Sequence, residues 1–532
     1  MTQDAVEAQE YQYPRKQVIW GLVAIFAVYG AMAFSVQTMA VARPKIAAAL
    51  DGLSLYGWSA SIPALVMAIS TIVFGKLSDI YGRRLMLMIS LATTLVGTVL
   101  SALSPNFIFL IVATSIAAMG AGAKMPLVFA VVGDLFPPKE RGKWVGLLNI
   151  PLGVFTLTGP ALGGYIVDNL SWRWLFWMLI PLLIFCLITV PKGVPSRVQQ
   201  AAKRKIDFKG CIWATLASSS AIIGFSLTRT YGWMSTLTLS LLAVSLVFWI
   251  IFLRIESGAD EPVLDPEVLK NRSFRAVALA TFFSSFGTMG MMMYFPMFLQ
   301  GVQDVSAFYN GLIIIPYGVL TAFMGVPVGY LIAKTGRFKW MYISGYGILT
   351  ASMFVLILFN SGTAIVFSVA IALLAGLGYG VIPTINTVVV QNAVPKRLMG
   401  AAMGAIFFFL MMGNAISPAI LDPTLNVTYA KNMSETMPAG LRDIADENTL
   451  EALDDPQVLL SGSAMENLKN ALEAEDGGPA LFEQTVEATR ESLQAGIRNI
   501  FWISAVFMLL AFLIICTVPR NSSSQEDSPR PE

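Results

Sequence analysis

Fourteen apolar stretches, most of them about 20 residues long, alternate with short polar loops along this chain. In lipid a segment of that kind must satisfy its own backbone hydrogen bonds, so it has to be a helix or part of a closed barrel. The stretches are twice as long as a barrel strand, so helices are expected. They fall near 17–42, 55–74, 85–103, 107–133, 143–167, 174–191, 210–228, 235–255, 274–300, 309–333, 340–360, 363–391, 400–421 and 497–518. Charged residues are 13% of the chain, about half the share of a soluble protein. The fold class is an all-α polytopic membrane protein. The run 17–42 is too long for a signal-peptide core and is expected to stay as span 1.

Charge sets the expected topology. With the N-terminus cytoplasmic, 25 of the 35 lysines and arginines fall in cytoplasmic segments, nine fall outside and Lys124 falls within a span. That bias matches the positive-inside rule and puts both termini in the cytoplasm of a plasma (inner) membrane protein. Function classes drop out on composition as well. The chain has no histidine, and Cys186, Cys211 and Cys516 lie in apolar stretches, so neither a metal site nor a disulfide framework is expected. There is no GxxxxGK[ST] loop, no nucleophile–base pair and no basic stripe with aromatics. An enzyme, a cofactor and a nucleic-acid partner are not expected.

The loops carry an internal repeat. Gly75-Lys-Leu-Ser-Asp-Ile-Tyr-Gly-Arg-Arg84 returns 254 positions later as Gly329-Tyr-Leu-Ile-Ala-Lys-Thr-Gly-Arg-Phe338, with Gly75, Leu77, Gly82 and Arg83 matching Gly329, Leu331, Gly336 and Arg337. Pro137-Pro-Lys-Glu-Arg-Gly142 is echoed by Pro395-Lys-Arg-Leu-Met-Gly400, Gly146 by Gly404, and Asp134 by Asn392. The echoes skip spans 7 and 8, so the chain reads as six plus two plus six helices: residues 1–191, then 192–272 with the basic run Lys203-Arg-Lys205, then 273–532. In the first loop Gly75 and Gly82 permit close approach and a tight turn. Asp79 can accept from a helix N-terminus or from Arg83 or Arg141, closing the cytoplasmic side with bonds that break on opening. Arg84 adds charge there, and Asp134 is expected to act as a latch. The copy has Ala333 where the first loop has Asp79.

The Gly75–Arg84 loop resembles the signature of the major facilitator superfamily. Gly159-Pro-Ala-Leu-Gly-Gly164 in span 5 is similar to that superfamily's antiporter motif, and Ser171-Trp-Arg-Trp174 resembles the corresponding stretch of its fourteen-helix drug:proton antiporter branch. The resemblance covers almost the whole chain. It implies the major facilitator fold, two six-helix bundles plus two inserted helices, rocking around a central cavity. On their own chemistry Gly159, Gly163 and Gly164 allow close helix contact and Pro160 favours a local kink.

Departures from the branch narrow the mechanism. Aligned on Pro44, Ser35 stands where the branch carries an aspartate, Gln37 follows in place of a threonine, and Arg43 takes an apolar place. The superfamily's Arg-x-x-Gln-Gly pattern is replaced by Ile116-Ala-Ala-Met-Gly120. No Asp or Glu is expected well inside a span, with Asp134, Glu256 and Asp422 read as helix-end residues. Lys124 stands out, about ten residues or ~15 Å from the inner end of span 4, where an intramembrane cation marks a functional site by default. It could bind an anionic substrate in the central vestibule, exchange protons as the coupling group, or donate to helix carbonyls. Gln37, Asn149, Asn386 and Asn414 are the neutral polar candidates for substrate contact, with Arg43 as an outer attractor. Met289 and Met291 to Met293 could line an adaptable cavity.

One long segment, 422–495, carries 15 acids against four bases. It is expected outside the membrane as a helical hairpin over the outer mouth, a lid or a site for a partner or cations, its last helix running into span 14. The function expected is proton-coupled efflux of amphipathic or hydrophobic compounds by alternating access, amid membrane lipids. The alternatives are an exporter or exchanger of anionic or lipid-like substrates with Lys124 as counter-ion, and a membrane receptor or scaffold.

Overall fold

The computed structural model describes residues 13–50, 56–195, 208–256, 258, 266–438 and 478–518, together with scattered positions between 441 and 470. Fourteen helical rods run in chain order: α1 Arg15–Ala49, α2 Tyr56–Tyr81, α3 Arg83–Ala102, α4 Phe107–Leu135, α5 Pro138–Asn169, α6 Trp174–Gly193, α7 Phe208–Tyr231, α8 Thr236–Glu256, α9 Arg272–Gly301, α10 Ala307–Thr335, α11 Lys339–Leu356, α12 Ile365–Ala393, α13 Met399–Thr436 and α14 Gly478–Cys516. Eleven of them are long and apolar enough to cross a membrane, and α5, α7 and α11 complete the set. The first six pack into one bundle and the last six into another. The α7–α8 pair, joined in part through Trp213 and Phe248, lies against α2 and α13, at the side of the seam between the bundles.

Prolines decide where the rods break and how the breaks are repaired. α5 is interrupted at Leu148 and α10 at Met324. Each lies three residues before a proline, Pro151 and Pro327, whose missing N–H removes the bond to the carbonyl four residues back. Pro423 does the same to Ala419 inside α13. There Thr228 of α7 donates its hydroxyl to the Ala419 oxygen at 3.5 Å, the kind of replacement that lets proline persist in lipid. α9 contains a π-helical turn over Gly290–Tyr294, just ahead of Pro296. α5 continues as helix from Asn149 through Pro160 to Asn169, so its interruption lies a turn and more before the glycine-rich motif.

One expectation about the last spans is corrected and one holds. α13 does not stop near 421 but runs on to Thr436, while α14 starts at Gly478, so the last outer helix runs into span 14 as expected. The extensions hold because they pack on each other: Leu425 lies against Gly496, Asn499 donates to Thr428 at 3.1 Å, and Ser492 abuts Met433. Among the described residues these two extensions pack together outside the apolar runs, residues 465–466 and 468–470 are also helical, and Val458–Leu460 packs against α14 and the end of α9. This outer part is tied to the second bundle. Tyr429 donates to the Leu453 carbonyl at 2.8 Å, Ser361 donates its N–H to Gln494 at 3.0 Å, and Arg490 lies 3.8 Å from Asp304. Asp422 consequently sits within a helix and not at its end.

Candidate gate and substrate cavity

The two copies of the loop motif meet the two copies of its partner across the seam. Gly75 of α2 faces Gly400 and Gly404 of α13, and Gly329 of α10 faces Gly142 of α5, with Gly146 beside Gly325. A Cβ on Gly75 would lie 2.6 Å from the Gly400 carbonyl oxygen, and one on Gly329 would lie 1.9 Å from that of Gly142. Backbones touch here, and no side chain fits between them. Gly82 and Gly336, at φ 88° and 65°, make the turns that follow.

The first copy adds a buried ionic network. Asp79, 8% exposed, accepts the backbone N–H groups of Gly400 and Ala401 at 2.9 and 2.7 Å, capping the start of α13 from the opposite bundle. Arg83, 7% exposed, lies 2.5 Å from Asp79 and donates to Asp134 at 3.1 Å and to Ser78. Arg141 of α5 reaches across to α12, donating to the Gln391 carbonyl at 3.3 Å and to Asn392 at 3.2 Å. Gln391 in turn donates to the Phe129 carbonyl at 2.8 Å, and Asn149 donates to Thr384 at 3.4 Å. These bonds all lie within about three turns of the basic ends of the helices. The second copy has no such network: Ala333 replaces the acid and Arg337 is exposed. Arg84 is half-buried beside the first copy. Gln391 and Thr384 were not singled out in the sequence, although Gln391 adjoins Asn392, the echo of Asp134.

The remaining polar candidates are scattered. Asn386 is buried within the second bundle, donating to Thr281 at 2.9 Å and accepting from the Tyr342 hydroxyl, so it ties α9, α11 and α12 together. Asn414 is half-buried in α13, and its carbonyl oxygen has no hydrogen-bond partner among the described residues. Gln37 abuts Gly159, whose Cβ would lie 2.6 Å away, and Gly163 meets Thr38. Gly159 and Gly163 of the glycine-rich motif thus seat α5 on α1; Pro160 and Gly164 belong to the same motif. Met291 is buried while Met292 and Met293 are exposed on the outside of the π turn, so those two do not line a cavity. Tyr294 donates to Asp422.

Lys124 is 2% exposed. It lines a cavity of about 320 Å³ formed by α1, α2, α3, α4 and α6. The walls belong entirely to the first bundle, whereas the sequence led us to expect a vestibule between the bundles. Among the described residues its amine makes no hydrogen bond or ion pair, and Cys186 of α6 lies near it. Arg43 also lines the cavity, toward the C-terminal end of α1, with Ser35, Ser59, Thr94, Thr98 and Thr114 as neutral polar groups. The face of α4 that carries Thr114 is hard to pick out in the sequence because α4 is apolar all round, which hides the face turned to a cavity.

A bundle pair with seams formed by repeated loop motifs is the arrangement of a transporter family, and the sequence matches the Major Facilitator Superfamily model over residues 24–418. The chain belongs to this superfamily. Multidrug transporter protein MdtP of Bacillus subtilis (strain 168) is 27% identical over 510 residues, 92% of this chain and 92% of that one. Multidrug resistance protein 3 of the same organism is 26% identical over 438 residues, 82% of this chain and 84% of its own length. The human organic anion transporter MFSD10 (TETRAN) superposes with a TM-score of 0.63 at 14% identity, over 95% of this chain and 100% of that one. The proton:xylose symporter XylE gives 0.61 at 14% identity, over 96% and 98%. At such identity the structural likeness is one of fold. As a superfamily member the chain is an integral membrane transporter of small molecules.

Proposed function

We propose that this transporter exports amphipathic and hydrophobic small molecules by alternating access, driven by a proton gradient, with both termini in the cytoplasm. The seam at the basic end carries the reading. Its bonds from Asp79 and Arg141 join opposite bundles and close that end, and they have to break before the bundles, residues 1–191 and 273–532, can rock apart there. On this reading Gly75, Gly82, Arg83, Arg84, Asp134, Gly329, Gly336 and Arg337 serve the gate. Lys124, with Gln37, Asn149, Asn386, Asn414 and Arg43, supplies candidates for substrate contact or coupling. The multidrug relatives and the apolar cavity walls support a drug-like cargo. The acidic segment 422–495 is proposed as an outer platform on the second bundle.

The test is transport by purified protein in proteoliposomes. A lipophilic dye should accumulate against its gradient when an inward-directed export geometry is combined with a pH difference, and accumulation should collapse when a protonophore dissipates it. Equal dye movement with and without the pH difference would overturn proton drive and leave facilitated diffusion.

A further inference from the structure

We propose that the cavity inside the first bundle is a binding site for a monoanionic amphiphile, with its acid group at Lys124 and its apolar body lying along α4. This deepens the export reading above by naming a class of ligand, and it rests on a different part of the molecule from the gate.

The shape comes first. The lining follows one face of α4 from Phe107 through Leu110, Thr114, Ala118 and Ala121 to Lys124, at the three- and four-residue spacing of a single helical stripe. Seventeen residues at 1.5 Å per residue make that stripe about 25 Å long. A cavity of about 320 Å³ spread over that length is a slot, at the small end of ligand pockets. It suits an extended body better than a bulky polycycle. Small residues at Ala117, Ala118 and Ala121 keep it open on the α4 side, and Met39, Leu110 and Leu183 supply apolar walls.

Charge then selects the ligand. The described lining residues include two cations, Lys124 and Arg43, and no carboxylate. A buried ammionium without a counter-charge is costly in a low-dielectric interior. An entering carboxylate or sulfate would gain a charge-assisted bond there, while a cationic amphiphile would meet repulsion at the deep end. Neutral ligands gain only the apolar walls. The deep lysine therefore selects for sign, and the slot selects for shape.

Equilibrium dialysis of the full chain in lipid nanodiscs tests this, with empty nanodiscs subtracted. The probes are dodecanoate, an aromatic carboxylate (2-naphthoate) and dodecyltrimethylammonium. We expect saturable binding of dodecanoate, no saturable binding of the ammonium, and a loss of at least tenfold in dodecanoate affinity in Lys124→Gln that Lys124→Arg restores in part. Ala118→Trp, which fills the slot about 9 Å along α4 from Lys124, should abolish dodecanoate binding in a protein that still elutes as a folded particle. Weaker binding of 2-naphthoate supports the extended slot, and binding as tight as dodecanoate overturns the placement of the apolar body along α4. Equal dodecanoate affinity in wild type and Lys124→Gln, or preference for the ammonium, overturns the proposal. No gradient enters these measurements. A failure of proton-driven dye export leaves them standing, and dye export without dodecanoate binding sinks this inference alone.

Discussion

Removing the Asp79 carboxylate should open the basic end of the seam. Its two bonds to the Gly400 and Ala401 amides join opposite bundles, and the cap is buried. A hydrogen bond to a charged group is worth about 1.5–3 kcal/mol. Water enters the parted seam and replaces part of that, so we take the low end, about 3 kcal/mol for the pair in Asp79→Ala. At 1.4 kcal/mol per tenfold, the closed-to-open ratio falls on the order of 100-fold. Asp79→Asn keeps a neutral acceptor and should fall about tenfold. Spin labels at Tyr81 and Arg397, exposed at this end on opposite bundles, would report the distance distribution by pulsed electron resonance with the native cysteines replaced. Arg397 pairs with Glu267 at the surface, and losing such a pair costs little. A longer-distance population should appear, small in Asp79→Asn and large in Asp79→Ala. If Asp79→Ala superimposes on wild type, the cap does not hold the seam and the gating argument fails.

Further outcomes follow from the same geometry. Gly329→Ala would push a Cβ to 1.9 Å from the Gly142 carbonyl, so the second seam should part and dye transport should fall more than tenfold. Gly336→Ala, strained only by its φ of 65°, should cost about 1–2 kcal/mol, lowering Tm while leaving the label distances unchanged. Tyr294→Phe removes the hydroxyl given to Asp422 and should lower stability by about 1–3 kcal/mol, read as a drop in thermal midpoint in nanodiscs. Tyr429→Phe removes the bond to the Leu453 carbonyl. It should loosen the outer segment to proteolysis while the helices beneath stay protected.

Spans and loops were legible in the sequence because lipid imposes a single length and a single rule on every crossing. The contacts at the seam were legible for a different reason. Gly75, Gly142, Gly329 and Gly400 come from four distant places, but a repeat that keeps glycine at matched offsets points to backbone contact between its copies. Asp79 could be read as a cap, since a carboxylate beside a helix start has few better partners. The outer end of α13 was not legible, because Leu425, Tyr429 and Met433 are too sparse among polar residues to mark a helix until Gly496 and Ser492 of α14 meet Leu425 and Met433. Lys124 was conspicuous in the sequence, but the wall it belongs to was not. A helix apolar on every side gives no sign of whether a given face meets lipid, a neighbour or a void.

The two seams are unequal in a way that bears on how the transporter opens. Both rest on glycines in backbone contact, but only the α2–α13 seam carries the Asp79 cap, while the α5–α10 side offers Ala333 and an exposed Arg337, with Arg141 bonding on to α12. Van der Waals contact alone yields gradually as helices separate, whereas a charge-assisted cap is lost over a short distance. The α5–α10 seam is also the one whose two helices are broken, at Leu148 and Met324, side by side where Asn149 meets Gly325. A seam that is weakly tied and built from interrupted helices can bend, while the other must unlatch. On the proposed gating, opening at the basic end needs release at both Asp79 and Arg141, and perturbations of Asp79 should outweigh equivalent ones at Ala333 in every assay of the gate.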